Sequence, residues 1–195
     1  NLAGGKKVDV WAARISYVGE SGWEIYFNND KDDGLALYDS LLEVGVVPVG
    51  IETYANSRRL EKSFRLQGAD LETEYTAIEA AIQRPLVKEA DFHGKAAHLS
   101  HRENEPCAIL CTMTLDDLNV SGVPRYPVGI SPIIDPATGE VPIDSKGRRS
   151  YTTGMSYCPS IKKFVVMGYL PNNIAEVGKS LSVSYTHLRA HETLP

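Results

Sequence analysis

At 195 residues, with 43% apolar residues and a formal net charge of −5, the chain can bury one substantial core or two small ones. The acidic balance, with a pI near 5.6, argues against a nucleic-acid partner, because neutralising phosphates takes clustered Lys and Arg and only short pairs such as Arg58-Arg59, Arg148-Arg149 and Lys162-Lys163 occur. No apolar stretch reaches the length of a bilayer span and no apolar run follows Lys6-Lys7, so neither a membrane nor a secretory signal is expected.

Cys107, Cys111 and Cys158 are an odd number without paired spacing. They fit reduced, buried thiols, with the cytoplasm as the default compartment.

The first element is a hairpin. Val8, Val10, Ala12 and Ile15 alternate roughly with Asp9 and Arg14; past the bend, Trp23, Ile25 and Phe27 alternate with Glu24 and Tyr26, the period of strands with one buried face. Gly19 and Gly22 bracket the turn, and Glu24 leaves it on the face opposite Trp23. As a strand position Glu24 reads as a solvated carboxylate; turned toward a ligand it reads as a hydrogen-bond acceptor. The alternation by itself favours the solvated reading, because alternating strands normally put their charges in water.

From Asp32 to Val44, Leu35, Tyr38, Leu41 and Leu42 recur at helical spacing ahead of Gly45, which predicts a helix that packs on the hairpin. A second helix is expected from Thr53, as N-cap, to Phe64, with a Glu61–Arg65 pair and an arginine-rich face. Thr76-x-x-Glu79 is a capping box opening a short helix that Pro85 closes, and another short helix follows from Phe92 to His101. Beyond Asn104 the signals turn to β structure. Strands are expected over Cys107 to Leu115, Tyr151 to Tyr157, Phe164 to Tyr169 and Leu181 to Tyr185, with turns at Asp135 to Gly139 and Ser145 to Gly147. Short strands and frequent Gly and Pro turns predict a small barrel or sandwich.

Metal and hydrolase chemistry are weakly supported. His98 and His101 have no Glu between them, and Cys107 and Cys111 sit four apart in an expected strand, so no metal site is assigned. There is no Gly-x-Ser-x-Gly elbow and no Gly-rich phosphate loop after a strand.

Four segments carry a resemblance. Tyr17-Val18-Gly19-Glu20-Ser21-Gly22-Trp23-Glu24 is similar to Tyr-Thr-Gly-Glu-x-Gly-Tyr-Glu. The run from Arg59-Leu60-Glu61 to Gly68-Ala69-Asp70-Leu71 is similar to Arg-Leu-Glu, six residues, then Gly-x-Asp-Leu. Thr76-Ala77-Ile78-Glu79-Ala80 is similar to Thr-Pro-Leu-Glu-Ala, and Asp91-Phe92-His93-Gly94-Lys95-Ala96-Ala97 to Asp-Phe-Ile-Gly-Lys-x-Ala. In this order they resemble the glycine-cleavage T-protein (aminomethyltransferase) superfamily. Lys62, Ser131-Pro132-Ile133 and Arg148-Arg149-Ser150-Tyr151 lean toward the T-protein-like modules of flavin-dependent dimethylglycine and sarcosine dehydrogenases.

The resemblance implies an α+β fold: the C-terminal part of a folate-binding module over residues 1–103, then a small β-barrel domain over 104–185. It implies tetrahydrofolate as cofactor, with Tyr17, Glu24 and Arg59 among the folate-binding residues, and a small one-carbon donor of the glycine, dimethylglycine or sarcosine type as substrate. FAD would belong only to a flavin dehydrogenase domain outside this chain, fused or separate. The family's catalytic aspartate lies in an N-terminal half expected to precede Asn1, so the chain is expected to be a fragment, inactive alone, and no catalytic residue is assigned in it. Ala55-Asn56 departs from an Arg-Asp pair whose arginine helps hold folate. A non-catalytic binding or assembly relative, and a folate-dependent O-demethylase, are therefore kept as alternatives. Residues 186–195, Thr-His-Leu-Arg-Ala-His-Glu-Thr-Leu-Pro, stop matching and read as a non-native tail.

Overall fold

The computed structural model describes residue 5 and residues 7–28, 33–116, 119–120, 123–124 and 129–184. The expected tail, residues 186–195, lies outside the described residues, as do Asp32 and Tyr185, the outer ends of two expected elements. The chain divides into two compact units, Asn1–Phe64 and Arg65–Pro195. No helix among the described residues is long and apolar enough to cross a membrane.

In the first unit, β1 (Val10–Ala13) and β2 (Glu24–Phe27) form the expected antiparallel hairpin, with Val10 opposite Phe27 and Ala13 opposite Glu24. The one-sided burial read from the alternation is not met: Trp11, Trp23, Ile25 and Tyr26 are all exposed. Helix α1 (Asp33–Glu43) follows. It ends in a Schellman arrangement, in which the Gly45 N–H donates to the Leu42 carbonyl (2.9 Å) and the Val46 N–H to that of Leu41 (3.0 Å). No residue of α1 is buried, so the close packing on the hairpin expected from its periodicity is not reached.

The second expected helix is present but wound differently. Glu52–Arg58 is π-helical, running into the α-helical turn α2 (Arg59–Glu61). It begins one residue before Thr53, and Ile51 at the cap position makes no side-chain cap bond, so Thr53 is not the cap. Wide π turns change which side chains share a face, a geometry that recurs where side chains must be aimed at a site.

The second unit is built on a three-stranded antiparallel sheet in the order β3 (Ala108–Leu115), β8 (Lys163–Pro171), β7 (Thr152–Cys158). β8 is central and pairs with β3 along the whole length of β3, from Ala108 opposite Pro171 to Leu115 opposite Phe164. From Val165 to Pro171 every residue of it is buried, because a strand covered on both faces reads as a continuous apolar run. At Gly168 the sheet and its covering layer meet so closely that a Cβ would lie 2.7 Å from both the Tyr151 carbonyl oxygen and Ile133 Cδ1. Helix α3 (Lys95–Glu103) lies ahead of β3, its start offset by three residues from the expected one.

Two short ribbons complete the strands: β4 (Asn119–Val120) with β5 (Val123–Pro124), and β6 (Ile133–Ile134) with β9 (Ser182–Val183). Main-chain bonds hook the β6 side onto β7, Thr152 N–H to the Ser131 carbonyl (2.9 Å) and Ile133 N–H to that of Ser150 (3.1 Å). Among the described residues these strands do not close into the expected barrel. Two-residue strands supply too few ladder bonds, and the Asp135–Gly139 and Ser145–Gly147 turns interrupt the chain where a continuous barrel strand would be needed.

The capping box also differs from its expectation in extent. Its two reciprocal bonds are made, Thr76 N–H to Glu79 Oε2 (2.8 Å) and Glu79 N–H to Thr76 Oγ1 (3.2 Å). Yet the helix stops after one turn at Ala81, whose φ is 53°. Glu79 is drawn into a buried ion pair with Arg148, so the box anchors a turn instead of launching a helix.

Segment 65–82 belongs to the second unit because its polar groups are satisfied there. Asp70, fully buried, accepts from the Leu66 N–H (2.8 Å) and from the Thr153 hydroxyl, and its main-chain oxygen accepts from the Tyr169 hydroxyl (2.7 Å). The Leu110 N–H donates to the Glu79 carbonyl (2.8 Å).

Candidate functional site

The signature hairpin turn is fixed by the helical segment of its own unit. Gly19 takes φ 70°, a conformation a side chain would strain, and the Lys62 side chain lies across it where a Cβ would stand. Arg58 ties the turn to the helix, pairing with Glu20 (3.3 Å) and Glu61 (3.0 Å).

The three site residues expected from the sequence all fall in this unit. Tyr17 is half-buried in an aromatic group, its ring centroid 5.7 Å from that of Tyr54 and 6.2 Å from that of Phe64. Arg59 is buried, at 1% exposure, and its guanidinium donates to main-chain carbonyls: Nε to Ala55 (2.8 Å) and Nη1 to Phe64 (3.0 Å). Tyr17 and Arg59 are thus gathered around Phe64, one against its ring and the other at its carbonyl. Arg59 thereby ties the start of α2 to the chain just past its end.

Glu24 is half-buried on β2 and accepts from the Tyr26 hydroxyl through Oε2. The hydrogen bond to Glu24, ahead of burial and of the carboxylate's charge, holds the Tyr26 phenol above its usual pKa. Sequence reasoning passed over Tyr26, Tyr54 and Phe64. Tyr26 was open to discovery, since residues two apart on a strand share a face; Tyr54 and Phe64 depend on how the helix meets the turn, which strand periodicity does not contain.

In the second unit, Glu79, Arg148 and Asp144 form a second charged group, with Arg148 bonded to Glu79 and to Asp144 (2.6 Å). Burial works against ionisation of Glu79, but the Arg148 hydrogen bond, the Thr76 N–H and the charges of Arg148 and Lys146 outweigh it and hold the carboxyl down to about 2. Arg148 also lies 4.3 Å over the Tyr75 ring, which stacks in parallel on Tyr169 at 3.5 Å. Every member of this group is satisfied by another protein group, the arrangement of a structural network. Beside it is a shallow depression of about 230 Å³ walled by Tyr75, Tyr169, Leu71 and Ile82.

Comparison with known proteins bears on the hairpin. Residues 3–89 match the model of the GCVT N-terminal domain. The chain is 32% identical to mitochondrial dimethylglycine dehydrogenase of Homo sapiens, over 90% of this chain and 19% of that protein. It is 30% identical to an aminomethyltransferase of Thermosynechococcus vestitus, over 89% of this chain and 43% of that one. The chain is a homologue of dimethylglycine dehydrogenases and aminomethyltransferases. The fold agrees: the crystal structure of glycine cleavage system aminomethyltransferase T from Bartonella henselae superposes with a TM-score of 0.73 at 23% identity, covering 91% of this chain and 46% of that one. The chain therefore spans about a fifth of the dehydrogenase and under half of the two transferases. Ala55-Asn56, where the resemblance expects an Arg-Asp pair, falls inside the π-helical segment, one turn before Arg59.

Proposed function

We propose that this chain supplies the pterin-holding hairpin of a tetrahydrofolate-dependent one-carbon transferase module, acting on a small donor of the glycine, dimethylglycine or sarcosine type. The observation that carries this reading is Glu24: half-buried at the signature's terminal glutamate, at the start of β2, just past a turn tied down by the Arg58–Glu20 pair and flanked by the Tyr17 aromatic group. A pterin presents its N3–H and 2-amino group as adjacent donors, which match the two oxygens of one carboxylate. Tyr17 would line the rim of the site, and Arg59 would serve it by fixing the helix end from which Phe64 and Tyr17 are aligned. Any flavin chemistry would belong to a dehydrogenase domain outside this chain. Three free cysteines, Cys107, Cys111 and Cys158, support a reducing compartment; we keep the cytoplasm as the proposal, beside dehydrogenase relatives named as mitochondrial.

The test is a titration of the full-length protein and its Glu24→Gln variant with a reduced folate. The amide offers one acceptor and a misplaced donor, so binding should weaken by about 1.5 to 3 kcal/mol, the scale of hydrogen bonds to a charged group. Equal affinities would overturn the reading.

One observation favours a second reading, a relative that keeps the fold for binding or assembly without transfer. Ala55-Asn56 stands where the resemblance expects an arginine, while Arg58 is paired with Glu20 and Glu61 and Arg59 with main-chain carbonyls. Folate binding without turnover in the full-length protein would support it.

A further inference from the structure

The hairpin face that bears Glu24 holds an arrangement the signature does not describe. Residues directly opposite in an antiparallel pair stand on the same side. The pairs Trp11–Tyr26 and Ala13–Glu24 therefore put four side chains on one face, while Val10, Ala12, Ile25 and Phe27 take the other. On the first face the Tyr26 ring rests against Trp11, centroids 4.9 Å apart and planes tilted by 46°. Its hydroxyl reaches along the strand to Glu24 Oε2. Ala13, opposite the carboxylate, presents only a methyl group, so β1 places no bulky side chain directly across from it.

A glutamate has three rotatable bonds, and one on a half-exposed strand samples several directions. Here the direction is set from outside. Of the roughly four acceptor positions of a carboxylate, Tyr26 takes one on Oε2, leaving Oε1 and the other side of Oε2 for two further donors. We propose that Tyr26 is a positioning residue for Glu24: braced on Trp11, its hydroxyl fixes the rotation of the carboxylate so that one acceptor position on Oε1 and the remaining one on Oε2 meet the paired N–H donors of a planar heterocycle of the pterin class. This rests on the assignment of Glu24 as the pterin anchor. Because Glu24 favours the protonated phenol, Tyr26 stays a donor through the neutral range. Trp11 and Tyr26 are both exposed, at 65% and 49%, so removing the hydroxyl leaves no buried group unsatisfied. A loss of binding would therefore not be a by-product of lost packing.

The experiment uses the full-length protein as wild type, Tyr26→Phe, Glu24→Gln and the double variant, with two readouts: affinity for 5-formyltetrahydrofolate, and ultraviolet difference titration of tyrosinate. Tyr26→Phe keeps the ring on Trp11 and should weaken binding roughly three- to tenfold, the scale of having to order one side chain on binding. Added to Glu24→Gln it should cost nothing further. Glu24→Gln should shift the titration of one tyrosine downward in pH. Wild-type affinity in Tyr26→Phe with weak binding in Glu24→Gln would overturn the positioning role while leaving Glu24 as the anchor. Wild-type affinity in Glu24→Gln would overturn both. An unshifted tyrosine titration in Glu24→Gln would show that the pair does not form and would overturn the proposal by itself, without recourse to any Tyr26 variant.

Discussion

Glu79 and Arg148, 69 residues apart in sequence, meet as a buried ion pair, with 2% and 10% of their side chains exposed. The pair closes a capping box on one side and an Asp144 turn on the other, so two local structures share one guanidinium. Removing one partner from a buried pair leaves a charge without compensation, at a cost of about 3 to 5 kcal/mol. Arg148→Met should therefore destabilise the protein by that order. Glu79→Gln, which keeps shape and one acceptor, should cost less. Urea unfolding of the two variants beside wild type measures both.

The same pair sets an acid limit. Glu79 is held near 2 in the folded protein against 4.5 for the free side chain, and Asp144 is lowered as well, its burial outweighed by the Arg148 and Lys146 N–H groups and the Arg148 side chain. A carboxyl whose pKa falls on folding stabilises the native state fully above its unfolded value and loses that contribution as pH drops toward the folded one. Stability should hold down to about pH 4.5 and decline from there to about 2. Melting temperatures over that range should fall more shallowly in Glu79→Gln; an identical acid limb would remove Glu79 from the account.

Gly168 should tolerate no side chain. An alanine methyl would press on the Tyr151 carbonyl, which is main chain and cannot swing aside, as well as on Ile133 Cδ1. Overpacking of this kind costs about 1 to 3 kcal/mol. Gly168→Ala should lower the denaturation midpoint accordingly, whereas an exposed control such as Thr112→Ala should not.

Tyr169 separates two contributions. Tyr169→Phe removes the hydroxyl bond to the Asp70 carbonyl (2.7 Å) but keeps the ring stacked on Tyr75, and should cost about 1 kcal/mol. Tyr169→Ala also removes a buried ring and should cost about 3 to 5 kcal/mol. Thermal or chemical unfolding of the two resolves the stack from the bond.

Much of the local structure was legible in the sequence because it follows from short-range chemistry. The hairpin strands follow from alternation around Gly19 and Gly22, α1 from the spacing of Leu35, Tyr38, Leu41 and Leu42, and β3, β7 and β8 from β-rich runs between turns. What sequence reading missed depends on partners that only the fold brings together. The capping box at Thr76 looks identical whether Glu79 faces water or Arg148, so its arrest after one turn could not be read from it. The burial of Arg59 was equally hidden: an arginine on a helical face suggests a ligand-binding cation, and only the fold shows it donating to Ala55 and Phe64. At the hairpin, motif spacing drew attention to Glu24, while Tyr26 lay beyond the end of the signature.

Asp70 gives the second unit a property of timescale. Its carboxylate and its carbonyl reach three places at once, Leu66 in its own turn, Thr153 on β7 and Tyr169 on β8, so the turn cannot peel away while the sheet stays intact. Amide hydrogen exchange should report this directly. The Leu66 N–H, in a loop with no regular secondary structure, should exchange with deuterium about as slowly as the amides of the central strand, because opening it requires the whole unit to open.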